Sequence, residues 1–143
     1  MKVYVVIDTN VMVSALLAKR TDSAPVQILD RLFNRDFIPM YNDEILAEYS
    51  EVLRRPKFKF SEKSIVFAID AIVEAGMESE RVTSSDEVID PKDVVFYEVA
   101  MSKDGSYFVT GNTKHFPAVR RVVTPTECLH FINYSFSKKS FQI

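Results

Sequence analysis

Short apolar runs alternate with longer amphipathic segments along this chain. The first run, residues 3–7 (VYVVI), is apolar at every position, as is typical of a strand that is covered on both faces. Residues 37–41 (FIPMY), 106–112 (SYFVTGN) and 120–125 (RRVVTP) contain further short strands. Because helical periodicity occupies the segments between these runs, the pattern predicts a parallel α/β sheet with helices on both faces.

Several predicted helices have recognisable capping residues. Pro25 suits the first turn of a helix that we expect to end near Asn34. A second helix starts at the Asn-Asp pair of residues 42–43, and a third is capped by Ser61 and stopped by Gly76. Further helices are predicted over residues 11–18, 93–101 and 124–135, and a third strand with a polar loop over residues 78–93.

The chain has the size and composition of one globular domain. Its 143 residues fit a single core, and we predict a domain over residues 1–135 followed by a C-terminal tail, residues 136–143. Cys128 is the only cysteine, which excludes an internal disulfide and fits a reducing compartment. No signal-peptide pattern is visible, and no apolar run approaches the ~20 residues that span a bilayer. We therefore expect a cytoplasmic protein with no membrane association.

Local basic clusters matter more than the overall charge. The formal net charge of −2 gives no general attraction to nucleic acid. Two segments are nevertheless rich in basic residues, and a solvated surface explains either of them taken alone. If both flanked one acidic site, nucleic-acid binding would be favoured. The residues are Arg54, Arg55, Lys57 and Lys59 in the first cluster, and Lys114, His115, Arg120 and Arg121 in the second.

Polar and acidic residues stand where predicted strands and helices meet. Asp8 ends the first strand, and Asp93 starts the apolar helix of residues 93–101; each is either a ligand or an N-cap. Asn112 follows Thr110 and Gly111 after another strand, and Gly-Asn is also typical of a plain turn. Because ligands bind beside the carboxyl ends of parallel strands, we expect Asp8, Asp93 and Asn112 to converge at one edge of the sheet.

The helix after residue 42 adds a further acid. At about 100° per residue, Glu48 borders the apolar arc of this helix, whereas Glu44 and Glu51 face water. A carboxylate at the edge of the core needs a partner, which is either an arginine or a cation. Grouped carboxylates repel each other unless a cation offsets them, and oxygen donors without a His or Cys ligand set favour Mg²⁺ or Mn²⁺ over zinc.

Three segments together resemble the PIN-domain family of metal-dependent nucleases, and the resemblance runs along nearly the whole chain. It implies a three-layer α/β/α sandwich with a central, mostly parallel sheet, an acidic pocket that binds Mg²⁺ or Mn²⁺, and hydrolysis of single-stranded RNA. The branch is similar to the toxins of bacterial and archaeal toxin–antitoxin pairs. The segments are VIDTNVMVSALL (6–17), DEILAEYSEVLRRPKF (43–58) and DPKDVVFYEVAMSKDGSYFVTGNTKHFP (90–117).

The resemblance implies a role for each matching residue. Asp8 and Asp93 match the family acids that act as principal metal ligands, and Glu48 matches the helix glutamate, which acts through water. A fourth acid commonly follows the Thr-Gly turn, where this chain has Asn112; the amide keeps an oxygen donor but removes a charge. This departure raises the question of one metal or two. The residues that match supporting positions of the pocket are Thr9, Asn10 and Thr110.

The implied partners are an RNA substrate and a cognate antitoxin, and the apolar helices after Ser61 favour a homodimer. Arg54, Arg55, Lys57 and Lys59 are expected to follow the RNA backbone. The main alternative is a non-catalytic PIN-like module that binds RNA or protein, which Asn112 favours. A phosphoryl-transfer domain with Asp8 as nucleophile lacks the second, neighbouring Asp. Neither G-x-S-x-G, G-x-G-x-x-G nor C-x-x-C occurs, so acyl-transfer and redox enzymes have no support.

Overall fold

A single parallel sheet forms the centre of the molecule. The computed structural model describes residues 2–140, with side chains described as far as Ser135. Within this range the sheet has five strands, all parallel, in the order β3-β2-β1-β4-β5, which confirms the predicted α/β class. The strands are β1 (Tyr4–Ile7), β2 (Ile38–Tyr41), β3 (Met77–Glu78), β4 (Tyr107–Val109) and β5 (Val122–Val123).

Helices cover both faces of this sheet. Helix α5 packs directly on β1, β2 and β4, whereas α2 packs against α1, α4 and α6. Because parallel crossovers are right-handed, α5, whose connection runs back across the sheet, lies on the face opposite α1, α2 and α4. Helix α3 contacts both α1 and α5, and its Tyr49 ring lies 6.0 Å from the Phe96 ring of α5. In the described range the helices are α1 (Thr9–Leu17), α2 (Ala24–Phe33), α3 (Asp43–Leu53), α4 (Glu62–Ala75), α5 (Val94–Met101) and α6 (Pro125–Ser140).

The apolar run at the start of the chain becomes the middle strand of the sheet. Val5, Val6 and Ile7 are fully buried, as are Phe108 and Val109 on the neighbouring strand β4. A strand with helices on both faces has no side that meets water, so it needs no polar alternation. This position explains why β1 could be recognised from its sequence alone.

Side-chain caps begin four of the described helices; at the start of α6, Thr124 Oγ1 accepts the Glu127 N–H at 3.1 Å and Glu127 Oε1 accepts the Thr124 N–H at 2.9 Å. Asn42 Oδ1 accepts the Ile45 N–H of α3 at 2.8 Å, and Ser61 Oγ accepts the Ser64 N–H of α4 at 3.1 Å, both as predicted; Ser23 caps α2. Gly76 ends α4 for a steric reason, since a Cβ atom there would lie 2.3 Å from the Ile72 carbonyl oxygen and 2.6 Å from that of Pro39.

The third strand and the polar loop predicted over residues 78–93 are both present, although the strand is short and lies at the start of this segment. Strand β3 covers only Met77–Glu78, and no strand follows in residues 79–90. Instead, buried Glu98 of α5 accepts hydrogen bonds from Arg81 Nε at 2.7 Å and from the Ser84 N–H at 2.6 Å. This loop is therefore held by a charged contact with α5 rather than by pairing with a strand.

The closing helix is longer than predicted. Helix α6 continues to Ser140, five residues past the expected end at residue 135. Of the predicted tail, residues 136–140 belong to this helix and residues 141–143 lie outside the described range; the domain boundary itself stays a prediction. None of the helices described in residues 2–140 is long and apolar enough to cross a membrane.

Candidate functional site

The carboxyl ends of β1 and β4 bring Asp8 and Thr110 together. Ile7 and Val109 are register partners in the parallel pair, so the residues that follow them are neighbours although 102 positions separate them. Thr110 Oγ1 donates a hydrogen bond of 2.7 Å to Asp8 Oδ2, and Asn10 Nδ2 donates to the same oxygen at 3.1 Å. The predicted meeting of strand ends is thus present at this edge.

A small polar network holds the Asp8 carboxylate in place. Asn10 Oδ1 accepts the Gly111 N–H at 3.1 Å, and the Asn112 N–H donates to Thr110 Oγ1 at 3.0 Å. These contacts tie the first turn of α1 to the turn after β4. The orientation of Asp8 therefore depends on two elements that are remote in sequence.

Helix capping does not explain Asp8 or Asp93. Asp8 occupies the N-cap position of α1 and Asp93 that of α5, yet neither side chain makes a capping hydrogen bond. Asp90, by contrast, accepts the Lys92 N–H at 2.9 Å and caps the short 3₁₀ turn of Pro91–Asp93. Because Ser or Asn would cap equally well, the choice of Asp at positions 8 and 93 requires another explanation.

The carboxyl groups at this edge influence each other's ionisation. Burial, with a smaller contribution from the charge of Asp93, raises the pKa of Asp8 to about 6, although the Thr110 hydrogen bond and the nearby Thr9 and Asn10 N–H groups act to lower it. Burial likewise raises the pKa of Asp93, as do the charges of Asp90 and Glu48, while His115 lowers it. These carboxyl groups form one electrostatic cluster.

Glu48 lies where the helical period placed it. Its side chain is half-buried, whereas Glu44 and Glu51 are exposed. The adjacent Tyr49 is fully buried and its hydroxyl donates to the Ile7 carbonyl, so α3 is attached to the end of β1. Burial, followed by the charge of Asp8, raises the pKa of Tyr49.

Of the two partners considered for Glu48, the arginine is absent in the described part of the chain and the cation stays a prediction. Among the described residues, no lysine or arginine forms an ion pair with Glu48, Asp8 or Asp93. An arginine partner for Glu48 is therefore ruled out in this part of the chain. The negative charges of these three acids are therefore not balanced by a lysine or arginine in the described residues. The charge of His115 lowers the pKa of Asp93 and offsets part of its charge.

A ready-made cage of metal ligands is not present. Across residues 2–140, no three His, Cys, Asp or Glu side chains lie close enough together to hold a metal ion as they stand. We expected Asp8, Glu48, Asp93 and Asn112 to share one small volume. In the structure, the three acids among them do not come close enough together to form such a group. Mg²⁺ usually keeps several waters and needs only one or two carboxylates. The uncompensated oxygen donors Asp8 and Asp93 fit that mode of binding.

The supporting residues differ in their contacts. Asn10 and Thr110 both hydrogen-bond to Asp8, but Thr9 Oγ1 is buried and has no hydrogen-bond partner among the described residues. Asn112 is exposed and joins the network through its backbone N–H. Its side chain is thus near the Thr110 turn and open to solvent, without a direct contact to Asp8 among the described hydrogen bonds.

Ion pairs occupy much of the predicted basic surface. Arg54 pairs with Glu62 and also donates to Ser50, while Arg55 pairs with Glu51 one helical turn earlier. Their role in following RNA stays a prediction, but their charges are largely offset.

Arg121 has a structural position. Its side chain donates to the carbonyl oxygens of Ser106 at 2.9 Å, Ala100 at 2.6 Å and Lys103 at 2.8 Å. It therefore binds the carbonyl groups at the end of α5 instead of joining the basic cluster of residues 114–121.

Sequence reasoning gave too little weight to His115 and Tyr49. His115 was assigned to a basic surface cluster, whereas its charge acts on Asp93. The short 3₁₀ turn of Thr113–His115 after Asn112 brings it back toward the acids. Tyr49 lies in the apolar arc that the helical period gives α3, and no local pattern reveals that its hydroxyl reaches the Ile7 carbonyl at the end of β1.

The sequence model of one protein family, described as PIN domain, matches residues 4–114 of the chain. The matched range contains Asp8, Glu48, Asp93 and Asn112, together with Thr9, Asn10 and Thr110. No curated protein and no solved structure is significantly similar to the chain.

Proposed function

Because the chain belongs to the PIN-domain family, whose members are generally nucleases, we propose that it is an endoribonuclease that cleaves single-stranded RNA with Mg²⁺ or Mn²⁺. One observation carries the proposal. Asp8 and Asp93 stand at helix starts without side-chain capping bonds and pair with no lysine or arginine among the described residues, and the charge of Asp93 raises the pKa of Asp8. Acids that neither cap a helix nor form an ion pair fit a role as ligands.

Asp8 and Asp93 would hold the cation, and PIN domains typically use divalent metals. When bound, the ion supplies a Lewis acid for a phosphoryl oxygen and makes nearby water more acidic. Thr110 and Asn10 keep the Asp8 carboxylate oriented through their bonds to Oδ2. Such outer contacts commonly affect affinity or activity about 10–100-fold.

Glu48 is proposed to act on the water that attacks phosphorus. Its half-buried carboxylate is unpaired and is fixed on α3 next to Tyr49, so it is suited to orient a water molecule and accept its proton. The water oxygen forms the new bond to phosphorus as the bridging ester oxygen leaves and takes up a proton. Asn112 adds a neutral oxygen donor from the turn after β4.

A role as the toxin of a toxin–antitoxin pair, acting in the cytoplasm, is proposed on the same basis. It implies a cognate antitoxin as partner. A homodimer is a separate proposal, supported by the exposed apolar residues of α4, among them Val66, Phe67 and Val73.

A second candidate is a catalytically impaired module that binds RNA or a protein. The specific observation in its favour is Asn112, an exposed amide where the family commonly has a fourth acid. Both candidates retain the same fold and the same basic residues, so only an assay for cleavage separates them.

The deciding experiment is a cleavage assay with a fluorescent, unstructured RNA. The purified protein should cleave it with Mg²⁺ or Mn²⁺ and stop when EDTA is added. A matched RNA hairpin serves as control, because its paired stem should resist cleavage. Equal activity in chelator, or no cleavage with either metal, would overturn the proposal, and the second outcome would favour the binding module.

The Asn112→Asp substitution should tighten Mn²⁺ binding about 30-fold. A unit charge and a dication 4 Å apart attract each other by roughly 2 kcal/mol in water, and the exposure of Asn112 keeps the effect near this aqueous limit. Calorimetric titration of both forms provides the measurement. Asn34→Asp, which makes the same change at the end of α2, is the control and should leave affinity unchanged. Equal affinities of Asn112→Asp and wild type would mean that residue 112 does not reach the metal.

A further inference from the structure

The segment 57–60 (KFKF) links α3 to α4 and contains two stacked aromatic rings. We propose that this segment, the Phe58 platform, binds an unpaired base of the RNA substrate by stacking. The inference rests on the proposed function for the identity of its ligand. It adds a recognition site that the acidic cluster does not provide.

The geometry of the platform is that of a supported ring. The rings of Phe58 and Phe60 are 5.4 Å apart and nearly parallel, at 13°. Phe60 packs against the core, whereas Phe58 is half-buried. One ring thus anchors the other and leaves part of it accessible. Aromatic side chains on which bases stack are the common feature of proteins that bind single strands without sequence preference.

Backbone conformation keeps the two rings together. Lys59, between them, has a φ of 58°, which is uncommon for a residue with a side chain. This left-handed residue turns the chain so that Phe60 returns against Phe58. Backbone outliers of this kind occur preferentially at ligand-binding and functional positions.

The charge of the platform complements a phosphate backbone. Arg54 and Arg55 are offset by Glu62 and Glu51. Within residues 2–140, Lys57 and Lys59 form no ion pair. The positive charge of this region therefore comes mainly from the two lysines that flank Phe58, so the aromatic face and the available cations coincide.

Lys57 lies over the Phe58 ring, where a base could stack. Its Nζ lies 5.1 Å from the centroid of the Phe58 ring, a cation–π contact that is weak at an exposed site. A stacked base would take this place over the ring, and the flexible lysine would move to the phosphate of the same nucleotide. The exchange loses a weak contact and gains a stronger one, since a base stacked on an aromatic ring contributes more than an exposed cation–π contact.

The platform is within reach of a strand bound at the acids. Glu48 is five residues before Leu53, the end of α3, and a rise of 1.5 Å per residue makes this about 7.5 Å along the helix. Residues 57–60 follow directly. A single strand that passes the acidic cluster would therefore reach Phe58 within a few nucleotides.

The test measures RNA binding without cleavage. Fluorescence anisotropy in EDTA should show that Phe58→Ala weakens binding of an eight-nucleotide poly-U RNA about tenfold. Phe58→Leu, which keeps the packing but not the π face, should lose as much, and Phe58→Tyr should bind as wild type does. Tyr134→Ala is the matched control, because Tyr134 is an aromatic residue 67% exposed on α6, outside the platform; it should bind normally. Thermal melting confirms that each variant is folded.

Two further arms separate stacking from other causes. With an abasic eight-nucleotide strand, Phe58→Ala and wild type should bind equally. Lys57→Gln and Lys59→Gln should each reduce the salt slope of binding by about 0.7, whereas Lys19→Gln should not. Wild-type affinity for Phe58→Ala, an equal loss with the abasic strand, or no binding of RNA by the wild type would overturn the platform.

Failure of the platform and failure of the nuclease are distinguishable. Binding that depends on Phe58 without cleavage in Mg²⁺ or Mn²⁺ would support the platform and overturn the nuclease. Metal-dependent cleavage together with wild-type RNA binding by Phe58→Ala would support the nuclease and overturn the platform.

Discussion

Replacing Asp8 by Asn should lower the rate of RNA cleavage more than about 100-fold, because changes in residues that only support a metal ligand already cost about 10–100-fold. The amide keeps the shape of the carboxylate, and its oxygen can still accept the Thr110 hydroxyl, which now donates to Asp8 Oδ2 at 2.7 Å. What the substitution removes is the charge at the end of β1. Initial rates on unstructured RNA with saturating Mn²⁺ are the measurement.

Asp104→Asn is the matched control for this experiment. It makes the same change in an exposed turn before β4, at the amino-terminal ends of the strands and away from the acids at their carboxyl ends. This variant should cleave RNA as fast as wild type does. Asp93→Asn should behave like Asp8→Asn. A folded Asp8→Asn protein that keeps activity within about threefold of wild type would show that the cleavage site, if there is one, lies elsewhere.

The metal-free protein should become more stable as the pH is lowered from 7.5 toward 4.5. Asp8 is only 5% exposed, and its pKa in the folded state is raised from 3.8 to about 6. The folded state therefore binds more protons than the unfolded state between these two values, and stability falls as pH rises through this window. At 1.36 kcal/mol per pKa unit, the full effect is about 3 kcal/mol. The raised pKa of Asp93 acts in the same direction.

Urea unfolding in EDTA at several pH values measures this effect, and the Asp8→Asn variant isolates it. Other carboxyl groups contribute to both proteins, so the difference in unfolding free energy between wild type and variant is the informative quantity. That difference should change by about 2 kcal/mol between pH 7.5 and 4.5, which is the part of the full effect that falls in this window, with the wild type gaining on acidification. A difference that is independent of pH would mean that Asp8 titrates normally and does not carry the cost of burial.

Features that depend on neighbours within one helical turn or one strand were predicted correctly from the sequence. The apolar run of β1, the caps Asn42 and Ser61, and the stop at Gly76 all belong to this group. The half-buried position of Glu48 does too, because the angle around a helix follows from spacing alone. The pattern also places Asp8, Asp93 and Thr110 at the ends of strands or the starts of helices, and this placement was enough to propose a site there.

The contacts that give these residues their properties could not be predicted in the same way. Arg121 looks like part of a basic surface in the sequence, but in three dimensions it binds carbonyl groups at the end of α5. Arg54 and Arg55 are similarly offset by nearby acids. A side chain's partner depends on which rotamer and which neighbour are available, and several choices are open to a long basic residue on a surface.

By itself, the sequence determined the strands, most of the helices, the alternation that leads to a parallel sheet, and the placement of acids at element ends, because these depend on spacing, propensity and capping over a few residues. Only the tertiary structure decided that Asp8 meets Thr110, that the charge of Asp93 raises the pKa of Asp8 without a preassembled metal cage among the described residues, and that Phe58 stacks on Phe60. These outcomes depend on strand order, burial and loop conformation, which bring together residues that no local rule connects.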